Sequence, residues 1–248
     1  MILLVRHGET QWNVERRFQG QKDSPLTERG RRQAVAMASL VRDLVGRGGG
    51  DWRLIASPLG RAHDTAAIIA EATGLTHETD LRLMEINCGD WEGLTWTEVS
   101  AGRDANSRLW ISDAPGGETH DDVAARLEAF LADLPPEPER RVILVSHGAS
   151  GRVMRGAYVG LDRETMLDLD VPQDAVFRLQ NGQIDRFDGE PVGRHAQEVV
   201  DPGRGLAPAQ ERQGGGEKDG AKHRGPFSLS GGYGYSTGSQ SKRSIWPF

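Results

Sequence analysis

Residues Met1-Ile2-Leu3-Leu4-Val5-Arg6-His7-Gly8 set an unbroken apolar run before a histidine and a glycine, and Val142-Ile143-Leu144-Val145-Ser146-His147-Gly148 repeats that design far along the chain. Short continuous apolar runs of this kind read as parallel strands buried on both faces. Leu54 to Ser57 is a third such run, and it leads into Pro58-Leu59-Gly60-Arg61-Ala62. Helical patterns fill the intervals, so the chain is expected to be an α/β protein. The expected architecture is a three-layer α/β/α sandwich around a mostly parallel central sheet.

The helices announce themselves by period and by punctuation. Thr27 stands as an N-cap with Glu28 in the first turn, where the helix dipole favours an anion. Ala34, Met37, Ala38, Val41, Leu44 and Val45 then form one apolar stripe that stops at Gly46. A second helix is expected from near Arg61 to Thr73, before Gly74. A third carries Val123, Leu127, Phe130, Leu131 and Leu134 and ends at Pro135-Pro136, and a fourth follows Gly148 and ends near Gly160. Ala175–Leu179 and Gln183–Phe187 flank Asn181-Gly182, a two-residue hairpin signal. Residues 1–200 are assigned to one folded domain and 201–248 to a disordered Gly/Ser-rich tail, whose composition cannot bury enough apolar surface to offset ordering entropy.

Composition excludes several classes. The formal net charge of -6 argues against a nucleic-acid partner, which calls for a basic face. It leaves room for a small anionic substrate, because a few arginines make a local positive pocket. One cysteine, Cys88, rules out an internal disulfide and fits a reducing cytoplasm. The first apolar run is too short for a signal-peptide core and lacks a basic leader, so no leader is expected, and no stretch is long enough to span a membrane. His63, His77, His120, His195 and His223 have no metal-ligand spacing, and Gly46–Gly50 lacks the continuation of a P-loop, so no metal and no cofactor are expected.

The chemistry gathers at strand ends. Open α/β sheets bind ligands at the carboxyl ends of their strands. Parallel neighbours would bring His7 and His147 out on one sheet edge. Arg6 adds a guanidinium fork suited to phosphate oxygens, and Arg61 adds a second at a helix N-terminus that already attracts anions. Gly8 allows close backbone approach. Cys88 has no basic neighbour and reads as inert. Trp12, Trp91 and Trp96 read as packing at the sheet edge or pocket rim, and Arg16-Arg17 either extend the positive pocket or form an exposed basic turn.

In order and spacing these segments resemble the histidine phosphatase superfamily, the phosphoglycerate mutase-like proteins. The resemblance covers residues 1 to about 190. It rests on Arg6-His7-Gly8-Glu9-Thr10-Gln11-Trp12-Asn13, Ser24-Pro25-Leu26-Thr27 with Gly30, and Ser57-Pro58-Leu59-Gly60-Arg61-Ala62 with Thr65-Ala66. Met84-Glu85-Ile86-Asn87-Cys88-Gly89-Asp90-Trp91-Glu92-Gly93, Pro115-Gly116-Gly117-Glu118-Thr119 and Val145-Ser146-His147-Gly148 complete it. The resemblance implies that His7 takes the phosphoryl group and becomes a phosphohistidine. It implies that Arg6, Arg61, His147 and Asn13 clamp that group, and that Glu85 is the proton donor and then the base for water. Gln19 and Gly20 fall where the family often lines the substrate pocket.

Cofactor-dependent mutases of the family carry extra basic residues after the acid-donor segment. Here Arg103 and Arg108 stand isolated, and Gly89-Asp90-Trp91-Glu92-Gly93 resembles the compact phosphatases. The arginine that marks the acid-phosphatase branch is replaced by Thr10. Hydrolysis of a phosphate monoester is therefore preferred over mutase-type transfer. A catalytically silent phospho-ligand module is the other alternative, against which the chain keeps both His7 and Glu85. The partner expected is a small phosphorylated substrate. Sugar phosphates, phosphoglycerate, cobalamin-precursor phosphates and phosphoproteins all stay open, as does the oligomeric state.

Overall fold

A computed structural model describes residues 1–46, 50–101 and 113–189. The expected tail, residues 201–248, lies outside the described residues, as do Arg103, Arg108, His195, His223, residues 190–200 of the assigned domain, and residues 47–49 of the glycine loop. In chain order the elements are β1 (Ile2–Arg6), α1 (Gln11–Val14), α2 (Glu28–Val45), β2 (Arg53–Ala56), α3 (Gly60–Thr73), β3 (His77–Thr79), α4 (Trp96–Ser100), α5 (His120–Ala132), β4 (Val142–Ser146), α6 (Gly148–Val159), α7 (Arg163–Asp168), β5 (Ala175–Gln180) and β6 (Gln183–Asp188). Two 3-10 turns, Leu81–Leu83 and Gly89–Trp91, lie between β3 and α4.

The six strands form one sheet in the order β3-β2-β4-β1-β5-β6. The first four run parallel; β5 and β6 are antiparallel and close one side as a hairpin. Asn181 and Gly182 both take positive φ (52° and 70°), the left-handed pair that a tight hairpin of right-twisted strands requires. Every residue of β4 and the first four of β1 are buried, as apolar runs without alternation lead one to expect.

Helices cover both faces. Leu3, Val5, Leu54, Ala56, Ile143 and Val145 meet Met37, Ala38 and Val41 of α2 and Ala62, Ala66 and Ile69 of α3 on one face. Leu4 turns the other way, toward Gly151 of α6, and α6 packs on α5. The α2 stripe is therefore the inward face of an 18-residue amphipathic helix, N-capped by the Thr27 hydroxyl accepting from Gly30 N–H. Among the described residues no helix is long and apolar enough to cross a membrane.

The register explains why distant segments meet. Arg6 pairs with Ser146 and Ala56 with Val145, so β1, β4 and β2 end level with one another. The ladder continues one step further: His7 N–H donates to Ser146 O at 3.0 Å, and Ser57 N–H to Val145 O at 2.9 Å. His7, His147 and Ser57 thus leave three adjacent strands at one edge.

Candidate active site

His7 is 2% exposed, and its Nδ1 lies 2.8 Å from Gly8 O. A carbonyl only accepts, so Nδ1 carries the proton and Nε2 keeps its lone pair. That Nε2 accepts from Arg61 Nε–H at 3.3 Å. Burial, then Arg61 and Arg6, hold the His7 pKa well below its ordinary value, so the ring is neutral. Gly8 makes this turn possible: a Cβ there would lie 2.2 Å from Gly30 O, backbone against backbone.

Arg61 is held by the loop that precedes it in space. Its Nη1 donates to Lys22 O at 2.8 Å and to Asp23 Oδ1 at 3.0 Å, and its Nη2 to Gly20 O at 2.7 Å. Asp23 also accepts from the backbone N–H groups of Gly60 and Arg61, and so caps α3. The guanidinium is 1% exposed and points its Nε–H at His7 Nε2. Arg6 is half-buried; its Nη1 donates to Val171 O, while its buried Nε has no hydrogen-bond partner. Burial lowers its pKa to about 10, which leaves it charged at neutral pH.

His147 faces His7 with ring centroids 5.1 Å apart. Its Nε2 lies 2.7 Å from Ser57 Oγ, and its buried Nδ1 has no partner. Burial, with Arg61, His7 and Arg6, keeps its pKa well below the ordinary value. Two buried nitrogens, Arg6 Nε and His147 Nδ1, therefore lack partners at the edge where His7 sits. An unpaired buried polar group is costly unless a ligand completes it.

Glu85 enters after the turn Leu81–Leu83. Its Oε1 accepts from Ser150 N–H at 2.8 Å and from its neighbour Ile86 N–H at 3.0 Å, and its Oε2 accepts from Ala149 N–H at 3.0 Å. The carboxylate thereby caps α6, two residues beyond His147. Arg126 of α5 steadies the segment by donating to Arg82 O at 2.6 Å and Glu85 O at 3.2 Å, and Gln21 Nε2 adds a bond to Glu85 O at 3.3 Å.

The structure thus brings Arg6, His7, Arg61 and His147 together and sets Glu85 beside them. Asn13 lies half-buried on α1, where it closes a capping box with Thr10 and its Oδ1 accepts from Gln173 Nε2 at 2.9 Å. Gln19 is 8% exposed with Oε1 unpartnered, and Gly20 contributes its carbonyl to Arg61. Sequence reasoning assigned no role to Ser57, Asp23 or Arg126, which hold the site. Ser57 had a usable signal, since it leaves a strand beside the one that ends in His147. Asp23 and Arg126 had none, because their partners are fixed only by the tertiary fold.

The other readings resolve simply. Cys88 is 4% exposed and burial pushes its thiol up to about 12, so it is inert at neutral pH. Trp91 packs edge-on against Phe18 and Trp96 stacks on it at 4.7 Å, while Trp12 reaches Gly93. Arg16 is exposed, and Arg17 pairs with Glu15. Among the described residues no cluster of three or more His, Cys, Asp or Glu could hold a metal ion.

A neutral, lone-pair-bearing imidazole beside two arginines and a second buried histidine at the carboxyl edge of a parallel sheet defines a phosphoryl-transfer enzyme of the histidine type. The family model of the histidine phosphatase superfamily (branch 1) matches residues 2–185, and the chain belongs to that family. It is 40% identical over 160 residues to a glucosyl-3-phosphoglycerate phosphatase of Mycobacterium tuberculosis, covering 59% of this chain and 70% of that one. It is also 40% identical over 193 residues to a probable phosphoglycerate mutase, GpmB, of an Enterobacter species, covering 75% and 84%. Among solved structures, mycobacterial glucosyl-3-phosphoglycerate phosphatase complexed with VO3 aligns at TM-score 0.63 and 32% identity, over 76% of this chain and 99% of that one. YhfR of Bacillus stearothermophilus aligns at 0.60 and 30%, over 74% and 93%. The protein is a phosphatase of this family, a phosphoric monoester hydrolase.

Proposed function

We propose that the protein hydrolyses a small phosphate monoester in two steps through a phosphohistidine on His7. The observation that carries this reading is the locked tautomer of His7, with Nδ1–H on Gly8 O and Nε2 bare beside Arg61. Nε2 attacks phosphorus as the ester P–O bond breaks, and Glu85 gives its proton to the leaving oxygen. Glu85 then takes a proton from water, which attacks phosphorus, breaks the P–N bond and restores the free imidazole.

Arg6, Arg61 and His147 stabilise charge on the equatorial oxygens, which is most of what phosphoryl transfer asks of a protein. The two guanidinium groups supply the positive charge that a metal would otherwise provide, and His147 adds a neutral hydrogen bond, so the reaction is metal-independent. Asn13 joins the clamp, and Gln19 and Gly20 line the entrance. The unpartnered Oε1 of Gln19 suits a substrate hydroxyl. Glucosyl-3-phosphoglycerate, the substrate named for the Mycobacterium tuberculosis relative, is the first ester to try. A reducing cytoplasm fits the single buried cysteine, and the net charge of -6 disfavours nucleic acid.

The test is a panel of phosphate esters assayed with chelator present, beside His7→Ala. Turnover with chelator, acid-labile phosphoenzyme in the wild type and neither in His7→Ala are expected. Full activity in His7→Ala refutes the assignment. Interconversion of phosphoglycerates that requires a bisphosphate primer, faster than any hydrolysis, would favour mutase-type transfer.

A further inference from the structure

Ser57 is 0% exposed, and its hydroxyl has one proton to place. Its oxygen accepts from Leu59 N–H at 3.3 Å, and its backbone N–H is spent on Val145 O. The remaining neighbour within hydrogen-bonding distance, among the described residues, is His147 Nε2 at 2.7 Å. A buried hydroxyl proton needs an acceptor, and only a bare Nε2 provides one. The ring proton of His147 then belongs on Nδ1, the buried nitrogen left without a partner beside His7.

We propose that Ser57 is a positioning residue for phosphoryl transfer: its hydroxyl donates to His147 Nε2, fixes the Nδ1–H tautomer, and so makes His147 a hydrogen-bond donor to the transferring group. The two histidines of the site hold the same Nδ1–H tautomer but use it in opposite ways, His7 offering its bare Nε2 and His147 its Nδ1–H, each set by an oxygen of a different strand end. Gly8 O, past β1, bares Nε2 of His7 for attack. Ser57 Oγ, past β2, bares Nε2 of His147 and leaves its Nδ1–H free. The alternative tautomer would turn a lone pair toward the phosphoryl oxygens and leave the serine proton without an acceptor. Burial beside Arg61 and Arg6 keeps His147 from carrying both protons at once. The consequence for rate rests on the phosphohistidine reading above; the tautomer itself is read without turnover, so the two fail separately.

The experiment uses the full chain labelled with 15N-histidine. Long-range N–H correlation spectra, assigned with His147→Gln, report which ring nitrogen of His147 is protonated. The wild type is expected to show protonated Nδ1 and bare Nε2, and inorganic phosphate is expected to move the Nδ1 signal. Ser57→Ala is expected to populate the Nε2–H form and to lower kcat by about 10- to 100-fold, less than outright loss of an anion-stabilising donor. Protonated Nε2 in the wild type overturns the proposal. So does an Nδ1 signal that ignores phosphate while His7 responds, or a Ser57→Ala enzyme that changes tautomer or rate without the other.

Discussion

Replacing His120 with Gln should flatten the acid side of the stability profile. His120 opens α5, is 2% exposed, and its Nδ1 accepts from Arg163 Nη2 at 3.2 Å. Protonation would forfeit that bond and set a second cation against Arg163. Burial first, then Arg163 and Arg152, lower its pKa to about 4, against the opposing pull of Asp121 and Asp113. In the unfolded chain the same ring titrates near 6.5. The folded state therefore binds the proton less readily than the unfolded state. The stability in question is fully present above pH 6.5 and is lost as pH falls from there toward 4. At pH 5 the two binding polynomials differ by a factor of about 30, which is about 2 kcal/mol. Urea unfolding of wild type and His120→Gln at pH 8 and pH 5 measures this, because other groups, His7 and His147 included, cancel in the double difference. The wild type should lose about 2 kcal/mol more than the variant between those two pH values. Equal losses would refute the argument, whatever the cost of the substitution at pH 8.

Glu85→Gln should lower kcat by about 100-fold or more for alkyl phosphates, whose leaving oxygen needs a proton, and less for p-nitrophenyl phosphate. Rapid-quench measurements should then find phosphoenzyme accumulating with the aryl ester, since water activation is lost as well; an equal loss on both esters without accumulation counts against Glu85 as acid and base. Asp23→Ala frees the guanidinium of Arg61 and uncaps α3, so kcat/KM should fall about tenfold while urea unfolding shows a loss of about 1 kcal/mol. Unchanged kcat/KM in that variant would show that Lys22 O and Gly20 O alone suffice to aim Arg61.

The parts of this fold that sequence made legible are those whose cause is local. Thr27 caps α2 because its hydroxyl meets Gly30 N–H three residues on, and the α2 stripe repeats because one face lies on the sheet. Asn181-Gly182 turns the hairpin because both positions demand positive φ. By contrast β3 is three polar residues, His77-Glu78-Thr79, extended only because β2 offers a ladder, and α1 and α7 are short helices of four and six residues held by the caps Thr10 and Asp162. No apolar period marks any of them.

The site divides the same way, and the division carries the functional argument. His7, His147 and Arg61 were readable because each follows an apolar run that can only be a buried strand, and parallel strands deliver their ends to one edge. The protons on those histidines were not readable. They depend on which oxygen lies against which ring nitrogen, and strand register decides that. Ser57 follows Ala56, Ala56 is level with Val145, and this places a hydroxyl 2.7 Å from His147 Nε2. A slip by one residue along β2 would send the Ser57 side chain to the opposite face of the sheet and leave the imidazole free to take either tautomer. The register of β2 against β4, chosen by packing Leu54, Ala56, Ile143 and Val145 under α2 and α3, therefore sets the protonation pattern on which the chemistry depends.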